Sequence, residues 1–244
     1  MSLEREEAAR LNNPEACMSL SDHLTELRQR ILWSLAAWAL GTAISSLFID
    51  NIIAVLTAPV QNLYYMRPAE AFFIYIKVAL AFGLFLAAPL VLYQLWAFLK
   101  PALLCNEKHF LQIVVPVSLL LFWGGLLFAD SFVFPQALSF FTTFAEGKIA
   151  PLLSIESYLE FYLMLVLPFG VIFNLPMVLV LLAQLGLINA GMLAVGRKYM
   201  ILGAFVFAGI ITPTPDIVTQ TLLAGPMIVL YEISRLVIMW REQK

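Results

Sequence analysis

Six apolar runs constrain this chain more than anything else in it: residues 29–49, 72–99, 111–135, 158–184, 198–211 and 217–238, divided by charge and by Pro, Gly and Asn. A hydrocarbon core about 30 Å thick takes roughly 20 apolar residues of helix, and lipid leaves an open sheet edge unsatisfied. The runs therefore predict an all-α, polytopic membrane protein with six spanning helices. The chain has 62% hydrophobic and 12% charged residues, against about a quarter charged in soluble domains, so lipid is the solvent of the fold. Its 244 residues leave no space for a second soluble domain. Residues 1–18 read as a polar leading segment, 19–240 as the membrane domain and 241–244 as a short tail.

Basic residues orient the bundle. With the N-terminus in the cytoplasm, the inside segments carry Arg5, Arg10, Arg28, Arg30, Lys100, Lys108, Arg197, Lys198, Arg235, Arg241 and Lys244. The outside segments carry Arg67 and Lys148, with Lys77 a few residues into the second span. An inside excess of Lys and Arg places both ends in the cytoplasm. Residues 1–18 lack the basic region and apolar stretch of a secretory signal, so cleavage is not expected. Cys17 and Cys105 fall in inside segments, where thiols stay reduced, and read as free and structural.

The run from Lys198 to Ile211 rises about 20 Å as a helix, short of the hydrocarbon core. The sixth begins at Thr212-Pro213-Thr214-Pro215-Asp216 and is interrupted by Gln220, Gly225, Pro226 and Glu232. Pro116, Pro135, Pro168 and Pro176 interrupt others. Membrane helices tolerate such breaks where neighbours satisfy the freed backbone groups, which predicts a kinked, packed bundle. No internal repeat of the kind found in many secondary transporters is visible.

Three sets of polar residues remain. His23-Leu24-Thr25-Glu26-Leu27-Arg28-Gln29-Arg30 enters the first span. Glu26 at the membrane surface could pair with an incoming guanidinium, or simply with Arg30 at i,i+4, with Ser19 and Asp22 as a capping box. The loop Lys100 to His109 contains Asn106, a plausible N-cap, and Glu107, which suits a helix first turn. Glu26 and Glu107 on one face could together receive a pair of positive charges. The third set lies at membrane depth: Lys77, Gln94, Asp130, Asn174, Gln220 and Glu232. Such ionisable groups are functional by default, although Lys77, Asp130 and Glu232 lie near span ends, where snorkelling suffices. Asn174 precedes Pro176 and either hydrogen-bonds a carbonyl that this proline frees or serves a substrate. There is no H-E-x-x-H, G-x-S-x-G or P-loop, and the two histidines, His23 and His109, both lie at the cytoplasmic face. No enzyme, metal, cofactor or nucleic-acid role is expected.

Three ordered segments resemble the TatC family. They are His23-Leu24-Thr25-Glu26-Leu27-Arg28, Ala87 through Leu103 with Tyr93-Gln94-Leu95-Trp96, and Thr212-Pro213-Thr214-Pro215-Asp216 with Gln220-Thr221-Leu222-Leu223-Ala224 and Tyr231-Glu232-Ile233. The resemblance covers about residues 20–240. It implies a concave bundle whose last two helices are short, in the bacterial cytoplasmic membrane. It further implies the core subunit of twin-arginine translocation, receiving the signal peptides of folded precursors and using the proton-motive force. Signal binding would fall to Glu26 and Glu107, with Arg28, Phe98 and Pro101 adjacent. Pro59, Glu70, Phe72 and Asp216 would belong to outward structure, and Glu232 to the functional polar set. Thr212, Thr214 and Gln220 would contact single-span TatA-like and TatB-like partners, in a complex holding several TatC copies. Many relatives carry glutamate where this chain has Asn174. The competing expectation is a proton-coupled small-solute transporter with Lys77, Asp130 and Asn174 along a shared pathway.

Overall fold

The computed structural model describes residues 20–60, 63–99, 110–144, 153–211 and 216–243. Glu107, Pro101, Thr212, Thr214, Cys17 and Cys105 fall outside them. The helices, in chain order, are α1 (Leu20–Leu47), α2 (Ile49–Thr57), α3 (Pro68–Leu99), α4 (Phe110–Phe128), α5 (Phe134–Phe144), α6 (Ile155–Ile172), α7 (Leu175–Gln184), α8 (Ala190–Ile211) and α9 (Ile217–Glu242). A π-helical segment, Ala129–Val133, joins α4 to α5. Six stretches are long and apolar enough to cross a membrane: α1, α3, α4 through α5, α6 through α7, α8 and α9. The protein is an all-α, multi-pass membrane protein. The side on which α1 begins and α9 ends is called here the near face, and the opposite side the far face.

Close backbone approach joins the first two spans. A Cβ built on Gly41 would stand 2.4 Å from the Gly83 carbonyl oxygen, and one on Gly83 would stand 2.6 Å from the Thr42 Cα and N. Lipid tails are as apolar as leucine, so membrane helices associate through such small-residue packing rather than by expelling water. Trp38 Nε1, one turn away, donates to the Leu80 carbonyl at 2.8 Å. The α1–α3 pair makes the most extensive helix contact in the molecule.

The fourth span is the axis of the bundle. Along α6, Tyr158, Leu159, Tyr162, Leu163, Leu165, Val166, Phe169 and Ile172 are all buried, against α3 and α4. Gly125 and Gly170 admit the crossing, since a Cβ on Gly125 would meet the Phe169 carbonyl oxygen at 2.4 Å. By contrast α8 buries only Ala190, Leu193, Ala204 and Ala208, and packs chiefly on α9. A groove of about 530 Å³ opens between α1, α3, α6 and the end of α8, walled by Trp38, Leu80, Met164 and Pro168.

Far-face loops are fastened by polar contacts. The short helix α2 buries Ile53 and Leu56 and is held by Tyr75 Oη donating to Asp50 Oδ1 at 2.9 Å and Tyr158 Oη to the Leu56 carbonyl at 3.0 Å. Tyr64 and Ser154 form an isolated parallel bridge.

Several boundaries differ from the sequence reading, the first span starting at Leu20 rather than 29, and two of the differences have a distinct physical cause. The fifth span starts at Ala190 rather than Lys198, giving 22 residues and about 33 Å. Arg197 and Lys198 had marked an edge, yet Arg197 lies inside the helix and pairs with Glu232 of α9 at 2.6 Å. The last two helices are nevertheless the shortest of the six stretches, at 22 and 26 residues. The third span runs to Phe144 rather than 135: Phe134 N donates to Ala129 O, five residues back, and this wide turn accommodates the missing N–H of Pro135.

The α1–α3 crossing yields a packing test. Gly83→Val is expected to destabilise the detergent-solubilised protein by about 1–3 kcal/mol, read as a lowered thermal midpoint. Gly124→Ala, where a Cβ would meet nothing within 4 Å, is expected to leave the midpoint unchanged.

Candidate functional site

Residues 23, 26 and 30 of α1 share one helical face, as do 94 and 98 of α3, and antiparallel packing brings the two faces together at the near face. His23 stacks on Phe98 with centroids 4.4 Å apart. Glu26 Oε1 accepts from Arg30 Nε at 2.8 Å and also from Arg30 Nη2. Arg30 Nη1 donates to Gln94 Oε1 at 3.1 Å. Both charged partners are partly withdrawn from solvent, with side chains 25% and 19% exposed for Arg30 and Glu26. Glu26 Oε2 is buried without a hydrogen-bond partner among the described residues.

That arrangement leaves a carboxylate oriented by one guanidinium and holding a free acceptor oxygen. Such an oxygen is an acceptor of the kind with which a guanidinium forms charge-assisted hydrogen bonds. Of the residues expected here, Glu26 and Phe98 come together. Arg28 is exposed on another face of α1, and Glu107 and Pro101 lie outside the described residues. Gln94, which the sequence reading noted only as a polar group at membrane depth, is the residue that fixes Arg30.

Charged side chains also tie the near ends of α8 and α9. Glu232 receives Arg197 Nη2 at 2.7 Å and Arg235 Nε at 3.1 Å, and Glu242 Oε1 accepts from Ala190 N at 3.0 Å. Toward the far end of the same pair, Gln220 faces a glycine: a Cβ on Gly209 would stand 3.0 Å from Gln220 Nε2. Asp216 caps α9, its Oδ1 accepting from Thr219 N at 2.7 Å. Glu70 is 6% exposed and serves the far-face loops, accepting from Met66 N at 2.8 Å and Ser154 Oγ at 3.3 Å. Phe72 is 65% exposed, and Pro59 lines a cavity beside α2.

Asn174 sits at the break between α6 and α7. Its backbone N–H turns to Val171 O at 3.0 Å, which frees the Gly170 carbonyl, and its Nδ2 donates to that oxygen at 2.9 Å. The amide therefore repairs a carbonyl released by the tightened turn at residue 174, not the carbonyl of Ile172 opposite Pro176. Its Oδ1 is buried and unpartnered among the described residues. The three polar groups of the transporter expectation do not converge. Lys77 pairs with Glu160 at 3.1 Å and Glu156 at 3.5 Å, Asp130 accepts from Tyr162 Oη at 2.8 Å, and Asn174 serves its own helix.

Comparison with known proteins accords with this geometry. A family model described as Sec-independent protein translocase protein (TatC) matches residues 22–226. The Sec-independent protein translocase protein TatC of Carboxydothermus hydrogenoformans is 36% identical over 221 residues, covering 89% of this chain and 91% of its own. That of Aquifex aeolicus is 40% identical over 225 residues, covering 89% and 93%. A crystal structure of the twin arginine translocase receptor TatC superposes with a TM-score of 0.82 at 40% identity, over 89% of this chain and 98% of that one.

Replacing Asn174 by leucine leaves the Gly170 carbonyl buried without a donor, at an expected cost of about 1–3 kcal/mol. The measurement is the thermal midpoint of Asn174→Leu in detergent against wild type. An unchanged midpoint would show that the Gly170 bond contributes nothing.

Proposed function

The chain belongs to the TatC family and is a core subunit of the twin-arginine translocation system, and from that premise we propose that its near face is the cytoplasmic surface that receives twin-arginine signal peptides. One observation carries the reading: Glu26 presents a buried Oε2, unpartnered among the described residues, beside an oxygen already held by Arg30. A guanidinium from a bound peptide finds there an oriented anion in a site of reduced dielectric, where a charge-assisted bond is strong. Glu107 is proposed as the second carboxylate, for the second signal arginine. Phe98 borders the site through its stacking on His23, Pro101 is proposed to shape the adjacent surface, and Arg28 is proposed to contact the peptide's flanks.

The charge distribution supports a cytoplasmic near face in a bacterial inner membrane. Among the described residues it bears Arg28, Arg30, Arg197, Lys198, Arg235 and Arg241, whereas the far face bears Arg67 and Lys77, as the inside excess of basic residues requires. TatA-like and TatB-like single-span helices are proposed to dock along α8 and α9. Leu202, Val206 and Ile210 of α8 are exposed, and Gln220, Thr212 and Thr214 are proposed as the polar part of the docking surface. The receptor complex is proposed to hold several copies of this chain. No chemical step is assigned to it: the work of transport comes from the proton-motive force.

Arg30 sets the strength of recognition, because an incoming arginine shares or displaces its bond to Glu26. Glu26→Ala combined with Glu107→Ala is expected to abolish photocrosslinking to a twin-arginine signal peptide, while Arg30→Gln is expected to raise peptide affinity a few-fold. Crosslinking of the double variant at wild-type efficiency would sink the assignment.

A further inference from the structure

Asp130 is a charge that the signal-binding reading does not use. It lies 20 residues beyond Phe110, the first residue of α4, about 30 Å along the helix, the thickness of a hydrocarbon core. That places it at the far-face boundary, where lipid headgroups lie. It belongs to the π-helical segment Ala129–Val133, and such bulges often occur where a helix must aim a side chain for function. Tyr162 Oη donates to its Oδ1 at 2.8 Å, and the other oxygen has no hydrogen bond among the described residues.

The same carboxylate lines a cavity of about 400 Å³ between α2, α3, α4, α5 and α6. Its walls include the rings of Phe82, Phe85, Trp123, Phe134, Tyr158 and Tyr162, and no Lys or Arg among the described residues lines it. Val55 and Leu127, also in the lining, are 72% and 63% exposed, so the cavity is continuous with the lipid-facing surface. Aromatic faces attract cations as the carboxylate does, and an anionic headgroup would meet Asp130 with nothing to compensate its charge. Of the described far-face cations, Lys77 is held by Glu156 and Glu160.

We propose that this cavity is a binding site for an outer-leaflet phospholipid with a primary ammonium headgroup, of the phosphatidylethanolamine class. The ammonium pairs with Asp130 among the aromatic rings, and the acyl chains run past Val55 and Leu127 into the bilayer. Tyr162 is the positioning residue, since its hydroxyl fixes the carboxylate.

The test uses the full chain reconstituted into nanodiscs of equal phosphatidylethanolamine and phosphatidylglycerol, then re-extracted in mild detergent, with retained lipid quantified by mass spectrometry. Wild type is expected to retain phosphatidylethanolamine several-fold over phosphatidylglycerol, and a photoactivatable phosphatidylethanolamine is expected to label residues around Leu127 and Phe134. Asp130→Asn is expected to abolish the preference with an unchanged thermal midpoint. Leu127→Trp, which narrows the mouth and keeps the charge, is expected to lower total retention and provides the reading if Asp130→Asn does not fold. Equal retention of both lipids by wild type, an undiminished preference in Asp130→Asn, labelling confined to other surfaces, or wild-type retention by Leu127→Trp would each overturn the proposal.

Discussion

Lipid supplies no hydrogen bonds, and the rest of this structure depends on that. Every backbone group inside the hydrocarbon must find a partner in the protein, and two irregularities in the six spans carry a specific repair. The break between α6 and α7 tightens the backbone at Asn174, and the side chain of the same residue returns a donor to Gly170 O. Pro135 removes a donor from the third span, and the π-helical turn before it carries the helix through, with Phe134 N on Ala129 O. Hydroxyls do similar work where a helix must end or bend: Tyr158 donates to Leu56 O where α2 finishes, and Tyr231 donates to Leu193 O at 2.7 Å between the last two spans.

With no water to expel, packing between helices rests on how closely backbones can approach. The first two spans meet through Gly41 and Gly83, and the third and fourth through Gly125 and Gly170. The fourth span is apolar mainly because it packs on α3 and α4, whereas α8 is apolar mainly because most of it faces lipid, with Ala190, Leu193, Ala204 and Ala208 its buried residues. Hydropathy cannot distinguish these cases. Only the positions of the small residues hint at which face is covered.

The number, type and order of the spans were legible in the sequence, because the length of an apolar run is itself the physical requirement. The start of the fifth span was not. Arg197 and Lys198 resemble a membrane boundary, and only the contact between Arg197 and Glu232, 35 residues apart, shows that the helix continues through them. The pairing of Glu26 with Arg30 followed from helical spacing, but Gln94 lies 64 residues from Arg30, and no local pattern predicts that meeting. Asn174 was read either as the partner of a carbonyl freed by Pro176 or as a substrate group, and the carbonyl it does meet, that of Gly170, depends on a backbone turn that the neighbouring proline does not reveal. For Arg197 and Arg30 the local part of the interaction was readable and the part that crosses between helices was not, while for Asn174 the unread part was a turn of its own backbone.

The sparse burial of α8 has a further consequence. A second spanning helix arriving beside it is already aligned by the bilayer and confined to a plane, so association sacrifices far less rotational and translational freedom than it would in water. Weak contacts along such a face are then sufficient for an encounter that both forms and dissolves. For the partner helices proposed to dock there, the bare surface of α8 would favour assembly by reversible lateral collision over a tightly interlocked interface.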